Sequence, residues 1–202
     1  MNTRDKILIT SIELFNEYGI NNISTKTISE KANINSENLY YYFKKKQDIL
    51  LAIFDMIVKD FNELYTLKEG NTPNEDYLEG ILTMIVITQR KYVFFYRDMF
   101  IIFLEFPEFK EVYKTKLEER KILIKAILDS FVKSKYLKAS IKKDYSDLID
   151  IIWFNLSSLS LKLSFKSIIV DESYKKKIKK NIYILLSAYL SPLGKEKLFS
   201  EF

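Results

Sequence analysis

The chain has 202 residues, 48% hydrophobic and 29% charged, with 4 glycines and 3 prolines, which suits a soluble all-α protein with long unbroken segments. It lacks cysteine and histidine, which removes disulfides, thiolate nucleophiles, imidazole bases and the common zinc ligands; catalysis is disfavoured, and no metal or cofactor is expected. The net charge of +5 favours nucleic acid only mildly, and residues 1–50 hold seven basic against six acidic side chains, so the placement of charge must decide.

The opening MNTRDKILIT mixes charged with apolar residues and predicts no signal peptide. The longest uncharged run, IIWFNLSSLSL over 151–161, is far short of the roughly 20 residues that cross a bilayer. A cytoplasmic protein without membrane association is expected. Ile7, Leu8, Ile12, Leu14 and Phe15 form one stripe of a first helix over 3–18, with Thr3 as its cap and Gly19 as the left-handed residue after it. Ser24 caps a short helix over 25–32, with Ile28 and Ala32 facing inward. Asn33 and Ile34 make a tight turn, and Asn35 caps another short helix over 36–43, with Leu39 and Phe43 inward. Two helices of this length joined by such a turn form a helix-turn-helix. The turn residue needs a positive φ, which asparagine tolerates next best after glycine.

A fourth helix is expected over 46–67, then a linker at KEGNTPN (68–74) and a helix over 74–89. One helix is read through YVFFYRDMFIIFLEF. Pro107 opens another that runs to 134, and a loop, KYLKASIKK, leads into a helix over 144–166. Asp171 caps the last, which ends near 190 before SPLGKEKLFSEF. The total is about nine helices.

The stretch ILITSIELFNEYGINNISTKTISEKANINSENLYYYFKKKQDIL resembles the DNA-binding domain of the tetracycline-repressor (TetR) family. The resemblance rests on Leu14, Phe15, Gly19, Ser24, Ile28, Ala32, Ile34, Leu39, Tyr40, Tyr42, Phe43 and Lys46, with departures at Ser29, Asn33, Asn35 and Glu37. It implies a helix-turn-helix domain over 1–60 and a ligand-sensing, dimerising helical domain over 61–202. Its partners would be a palindromic double-stranded operator, a second copy of the chain, and a small apolar or aromatic effector.

Taken alone, YYYFKKK over 40–46 reads as tyrosines packed in a core beside solvated lysines. In register with the family pattern it becomes a DNA face. Phosphate contacts are then assigned to Thr25, Asn35, Tyr40, Tyr42, Lys45 and Lys46, with Lys46 and the backbone N–H groups at the start of the fourth helix forming an anion site. Base contacts fall to the first turn and a half of the recognition helix, at Ser36, Glu37 and Tyr41. Glu37 can accept from cytosine N4, neutralise Lys44, or repel phosphate.

In the second half, IDIIWFNLSSLSLKLSF is nearly uncharged and rich in serine, which suits a helix buried on more than one side. A dimer seam is expected at Ile152, Leu156, Ser160, Leu163, Ile182 and Leu186. A ligand pocket is expected around Tyr96, Phe100 and Trp153, although so aromatic a run also suits plain core. KKKIKK over 175–180 reads as a solvated face. The resulting reading is a DNA-binding regulator, a repressor released by a small molecule. The alternative is a DNA-binding dimer whose second domain docks a protein and senses no ligand.

Overall fold

The structure, a computed structural model, describes residues 2–65, 73–165 and 172–202, and only the backbone of 63–65 and 158–165. Eleven α-helices follow one another among the described residues: α1 (Thr3–Tyr18), α2 (Thr25–Lys31), α3 (Ser36–Tyr42), α4 (Lys46–Tyr65), α5 (Glu75–Lys91), α6 (Val93–Arg97), α7 (Met99–Glu105), α8 (Pro107–Lys133), α9 (Tyr145–Phe165), α10 (Glu172–Leu186) and α11 (Pro192–Leu198). No helix among them is long and apolar enough to cross a membrane.

The all-helical class is the one expected, with two differences in the helix count. The aromatic run breaks at Asp98, whose φ of −98° and ψ of 9° leave helical geometry and separate α6 from α7. α11 forms in the tail because Ser191 Oγ accepts the Gly194 N–H at 2.9 Å and Pro192 takes the first helical position. The cap of α1 is Asn2 rather than Thr3: its Oδ1 accepts the Asp5 N–H at 2.8 Å, and Thr3 is already helical. Asp171 and most of KEGNTPN lie outside the described residues.

The chain forms two compact units. The first holds Met1–Asp60 and Lys91–Lys114; the second holds Phe61–Arg90 and Thr115–Phe202. Residues 91–114 therefore pack with the helix-turn-helix, and the reason is aromatic. Phe94 lies 5.2 Å from Phe15 of α1, and Phe54 of α4 lies 5.5 Å from Phe95 and 5.0 Å from Phe109. Tyr92, Phe94 and Phe109 are fully buried. Rings in offset or edge-to-face contact contribute about 0.5–1.5 kcal/mol per pair beyond their burial. Tyr92 also donates to Asp60 Oδ2 at 2.9 Å, and Lys91 Nζ reaches the same oxygen at 2.7 Å.

The turn between α2 and α3 closes as a Schellman motif. Asn33 has φ 50°, its N–H donates to Glu30 O at 3.0 Å, and the Ile34 N–H donates to Ser29 O at 3.0 Å. Asn33→Val is expected to lower stability by about 1–2 kcal/mol through strain at positive φ, while Asn33→Gly keeps or slightly raises it. Thermal melts of the two variants check this, and a neutral valine would refute it.

In the second unit, Leu82 and Ile85 of α5, Leu128 and Phe131 of α8, Ile149 and Ile152 of α9, and Ile178, Ile182 and Leu186 of α10 share one core. Buried Gln89 crosses it, donating to Leu156 O at 2.8 Å and accepting from Tyr174 OH at 2.9 Å. Lys179, whose side chain is 5% exposed, meets Glu79 at 2.7 Å and Glu75 and Glu201 at 3.1 Å. Lys175 pairs with Glu79 and Glu172, and Lys176 with Glu201. The lysine run is thus largely neutralised by its own unit.

Candidate nucleic-acid interface

α3 is built to present one face. Leu39 and Phe43 are buried beneath it, while Tyr40, Tyr41 and Tyr42 are exposed, Tyr41 to 76%. Three tyrosines that fill no core have no packing reason to be consecutive. Tyr41 and Tyr42 stand edge to face at 5.1 Å, which steadies both rings. Tyr40 OH lies 3.2 Å from Thr25 Oγ1 at the start of α2, so two of the expected phosphate ligands stand side by side.

Asn35 caps α3, with its Oδ1 accepting the Asn38 N–H at 2.7 Å; the side-chain NH2 is its remaining donor. Ser36 is exposed at the first position of α3. Ser29 Oγ donates to Lys26 O at 2.8 Å, so the 3.3 Å contact between the two hydroxyls uses the Ser36 proton. The Ser36 oxygen is thereby left as an acceptor. Glu37 is also exposed, and among the described residues neither Lys44 nor Lys45 forms an ion pair with it.

These two lysines sit on a fixed loop, because Asp48 Oδ2 accepts the Lys45 N–H at 2.8 Å. Lys46 is different. Its ammonium donates to Ile20 O at 2.9 Å and Ile23 O at 3.2 Å, and half-burial holds its pKa below the usual lysine value, against the pull of Glu105. The side chain assigned to phosphate from sequence closes the α1–α2 connection. Its backbone still stands at the start of α4.

That connection is gripped from several sides. The Ile20 N–H donates to Asp98 Oδ2 at 2.9 Å, and Asn21 Nδ2 donates to Glu105 Oε1 at 2.8 Å. Arg97 caps the end of α1, donating from Nη2 to Phe15 O at 2.7 Å and from Nη1 to Asn16 O at 2.9 Å. Asn16 answers by accepting the Phe94 N–H at 2.9 Å and donating to Lys91 O at 2.9 Å. α1 and α6 therefore cap each other. Arg97 and Asp98 also pair with each other, at 2.7 Å, while carrying this clamp. Two adjacent opposite charges inside a fifteen-residue aromatic run (92–106) were the available signal.

The other sequence-derived site residues belong to both units. Tyr96 is buried in the first unit and Phe100 is exposed there, whereas Trp153 is half-buried against the core of the second. Ile152, Ile182 and Leu186 belong to the second unit's own core, and Leu156 packs against it. Ser160 and Leu163 lie outside the residues whose side chains are described. Among the residues whose side chains are described, the large apolar ones these two helices leave open are Ile151 (47% exposed) and Phe154 (74%) on α9 and Ile184 (58%) on α10. Each is a neighbour in sequence of a residue chosen for the seam or close to one.

Known proteins place this geometry in context. A family model described as bacterial regulatory proteins, tetR family, matches residues 7–53, and one described as bacterial transcriptional repressor matches 58–198. The biofilm operon icaADBC negative transcriptional regulator IcaR of Staphylococcus epidermidis is 24% identical over 190 residues, 93% of this chain and 98% of that protein. Among solved structures, a TetR-family transcriptional regulator of Marinobacter aquaeolei superposes with a TM-score of 0.86 at 26% identity, covering 97% of this chain and 95% of the other. SmeT, solved in complex with triclosan, superposes at 0.67 with 14% identity, covering 94% and 92%.

Proposed function

We propose, from the premise that this chain belongs to the TetR family of bacterial transcriptional regulators, that it is a cytoplasmic, non-enzymatic repressor which binds a palindromic operator as a homodimer and leaves it when a small molecule binds. The observation that carries the reading is the outer face of α3. Three exposed tyrosines stand there beside Lys44 and Lys45, which have no acidic partner among the described residues, on a helix and loop held rigid from beneath. Phenol hydroxyls and ammonium groups position a protein on phosphates, and the first turn of such a helix reads base edges.

In this reading Thr25, Asn35, Tyr40, Tyr42 and Lys45 contact the backbone, and the N–H groups at the start of α4 add an anion site. Ser36, Glu37 and Tyr41 meet the bases. Ser36 and Glu37 both offer acceptors, which fit the amino groups of cytosine N4 or adenine N6 in the major groove. The second copy docks through Ile151 and Phe154 of α9 and Ile184 of α10, apolar side chains that these two helices leave open among the described residues. The inducer we assign is small and apolar or aromatic, taken up in the second unit beside Trp153; SmeT, of the same fold, accommodates triclosan.

The test is binding to duplexes from the flanks of the protein's own gene, measured across a salt series. A protected, palindromic stretch is expected. Lys45→Ala should lower the slope of log affinity against log salt by about one for each phosphate that is no longer neutralised. Lys46→Ala should leave the slope unchanged and lower the melting temperature, because it removes two hydrogen bonds to otherwise closed-in carbonyls, about 1–3 kcal/mol. Absence of salt-dependent DNA binding by the wild-type chain would sink the reading.

A further inference from the structure

We infer that Arg4, at the start of α1, is a phosphate-binding residue of the DNA face, held in place by the ring of Phe43. The inference rests on the DNA-binding reading above and adds a residue from outside the helix-turn-helix to it.

Four observations support the assignment. The Arg4 guanidinium carbon lies 5.5 Å from the centroid of the Phe43 ring, within the range of a cation–π contact. Phe43 is the residue that ends α3, and Lys44 and Lys45 follow it directly, so the guanidinium sits beside the basic loop although it is some forty residues away in sequence (position 4 against 43). Arg4 is exposed, and among the described residues its guanidinium has no carboxylate partner. Asp48, the acid that follows the basic loop, is engaged by the Lys45 N–H.

A guanidinium is easily held by stacking because it is planar and weakly hydrated, and a stacked one loses less freedom when it binds a phosphate. Its fork of donors suits two phosphate oxygens at once. The first turn of α1 adds the positive end of a sixteen-residue helix in the same place. An arginine whose only role was to pair on the surface would have an acid within reach. An arginine buried for packing would not be exposed. Arg4 satisfies neither description, and it lies where the chain already gathers positive charge without neutralising it.

The measurement is the salt dependence of binding to a short mixed-sequence duplex, which reports backbone contacts and needs no knowledge of the operator. Arg4→Met and Arg4→Gln should each lower the slope of log affinity against log salt by about one. Arg4→Lys should restore the slope while binding more weakly than wild type, since charge returns without the planar fork. Lys133→Met, which removes the same charge from the exposed end of α8, should leave the slope at the wild-type value. Wild-type slopes in both neutral Arg4 variants, with wild type itself binding in a salt-dependent way, would overturn the assignment of Arg4 alone. An equal fall in slope for Lys133→Met would overturn it too, since net charge would then explain the effect. A wild-type chain that shows no such binding would overturn the DNA-binding reading and this assignment with it.

Discussion

Phe154→Arg is expected to elute as a monomer, keep its helical circular dichroism, and lose operator affinity by about a thousandfold or more while retaining weak non-specific binding. Phe154 is 74% exposed on α9, so a charge there does no harm to the isolated subunit. Enclosed by a second copy, an unpaired arginine costs several kcal/mol, enough to separate the subunits. A lone helix-turn-helix touches too few base edges for useful specificity, and the second reader must stand one DNA turn away, roughly 34 Å. Ile184→Arg on α10 should behave alike. Ile182→Arg, two positions away, should instead unfold the second unit, because Ile182 is buried among Leu82, Ile85 and Ile178. Light scattering and melting curves separate the two behaviours. A Phe154→Arg protein that remains dimeric and binds its operator normally would place the dimer interface elsewhere.

Asp98→Ala is the second substitution with a large expected effect. Asp98 is buried, accepts the Ile20 N–H at 2.9 Å, and is bridged by Arg97 through Nε at 2.7 Å and Nη2 at 3.1 Å. Its removal leaves a buried N–H without an acceptor and a partly buried guanidinium without its counter-charge. Together these should lower stability by about 3 kcal/mol, in the range measured for breaking such pairs. Because Arg97 also holds the last carbonyls of α1, binding to DNA should weaken along with stability although Asp98 contacts no DNA. Arg97→Ala should produce a similar loss, and the double variant should lose much less than the sum, since the groups act as one unit. Additive losses in that cycle would mean that the two residues hold the α1–α2 connection independently.

The helix-turn-helix was legible in the primary structure because its signals are local. Ser24 and Asn35 cap the helices they precede, Asn33 takes the positive φ its position requires, and Leu39 and Phe43 bury the face their spacing selects. Each depends on residues three or four apart, which is the reach of a helix turn and of a cap. The SPLG start of α11 carries the same kind of signal, a serine cap followed by a proline at the first helical position. For Lys46 the pattern found the position and not the partner: nothing in the residues around it says that Ile20 O and Ile23 O will lie within reach.

The later helices show the limit more sharply. Composition marked α9 as apolar on more than one side, but a nearly uncharged helix offers no period by which to tell the face that meets its own core from the face that meets a neighbour. Ile152 and Ile151 differ by one step of about 100° in a sequence where both are isoleucine, and only packing against α5 and α8 makes the first core and leaves the second open. The aromatic run over 92–106 poses the same problem at the level of units. Hydrophobic burial has no direction of its own, so Phe94 and Phe95 of the run, like Phe109 just after it, would be equally satisfied in any core. Their place beside Phe15 and Phe54 follows from where α1 and α4 bring those rings together. Short-range hydrogen bonding and helical periodicity are written along the chain; the choice among equivalent apolar partners is made only when distant segments meet.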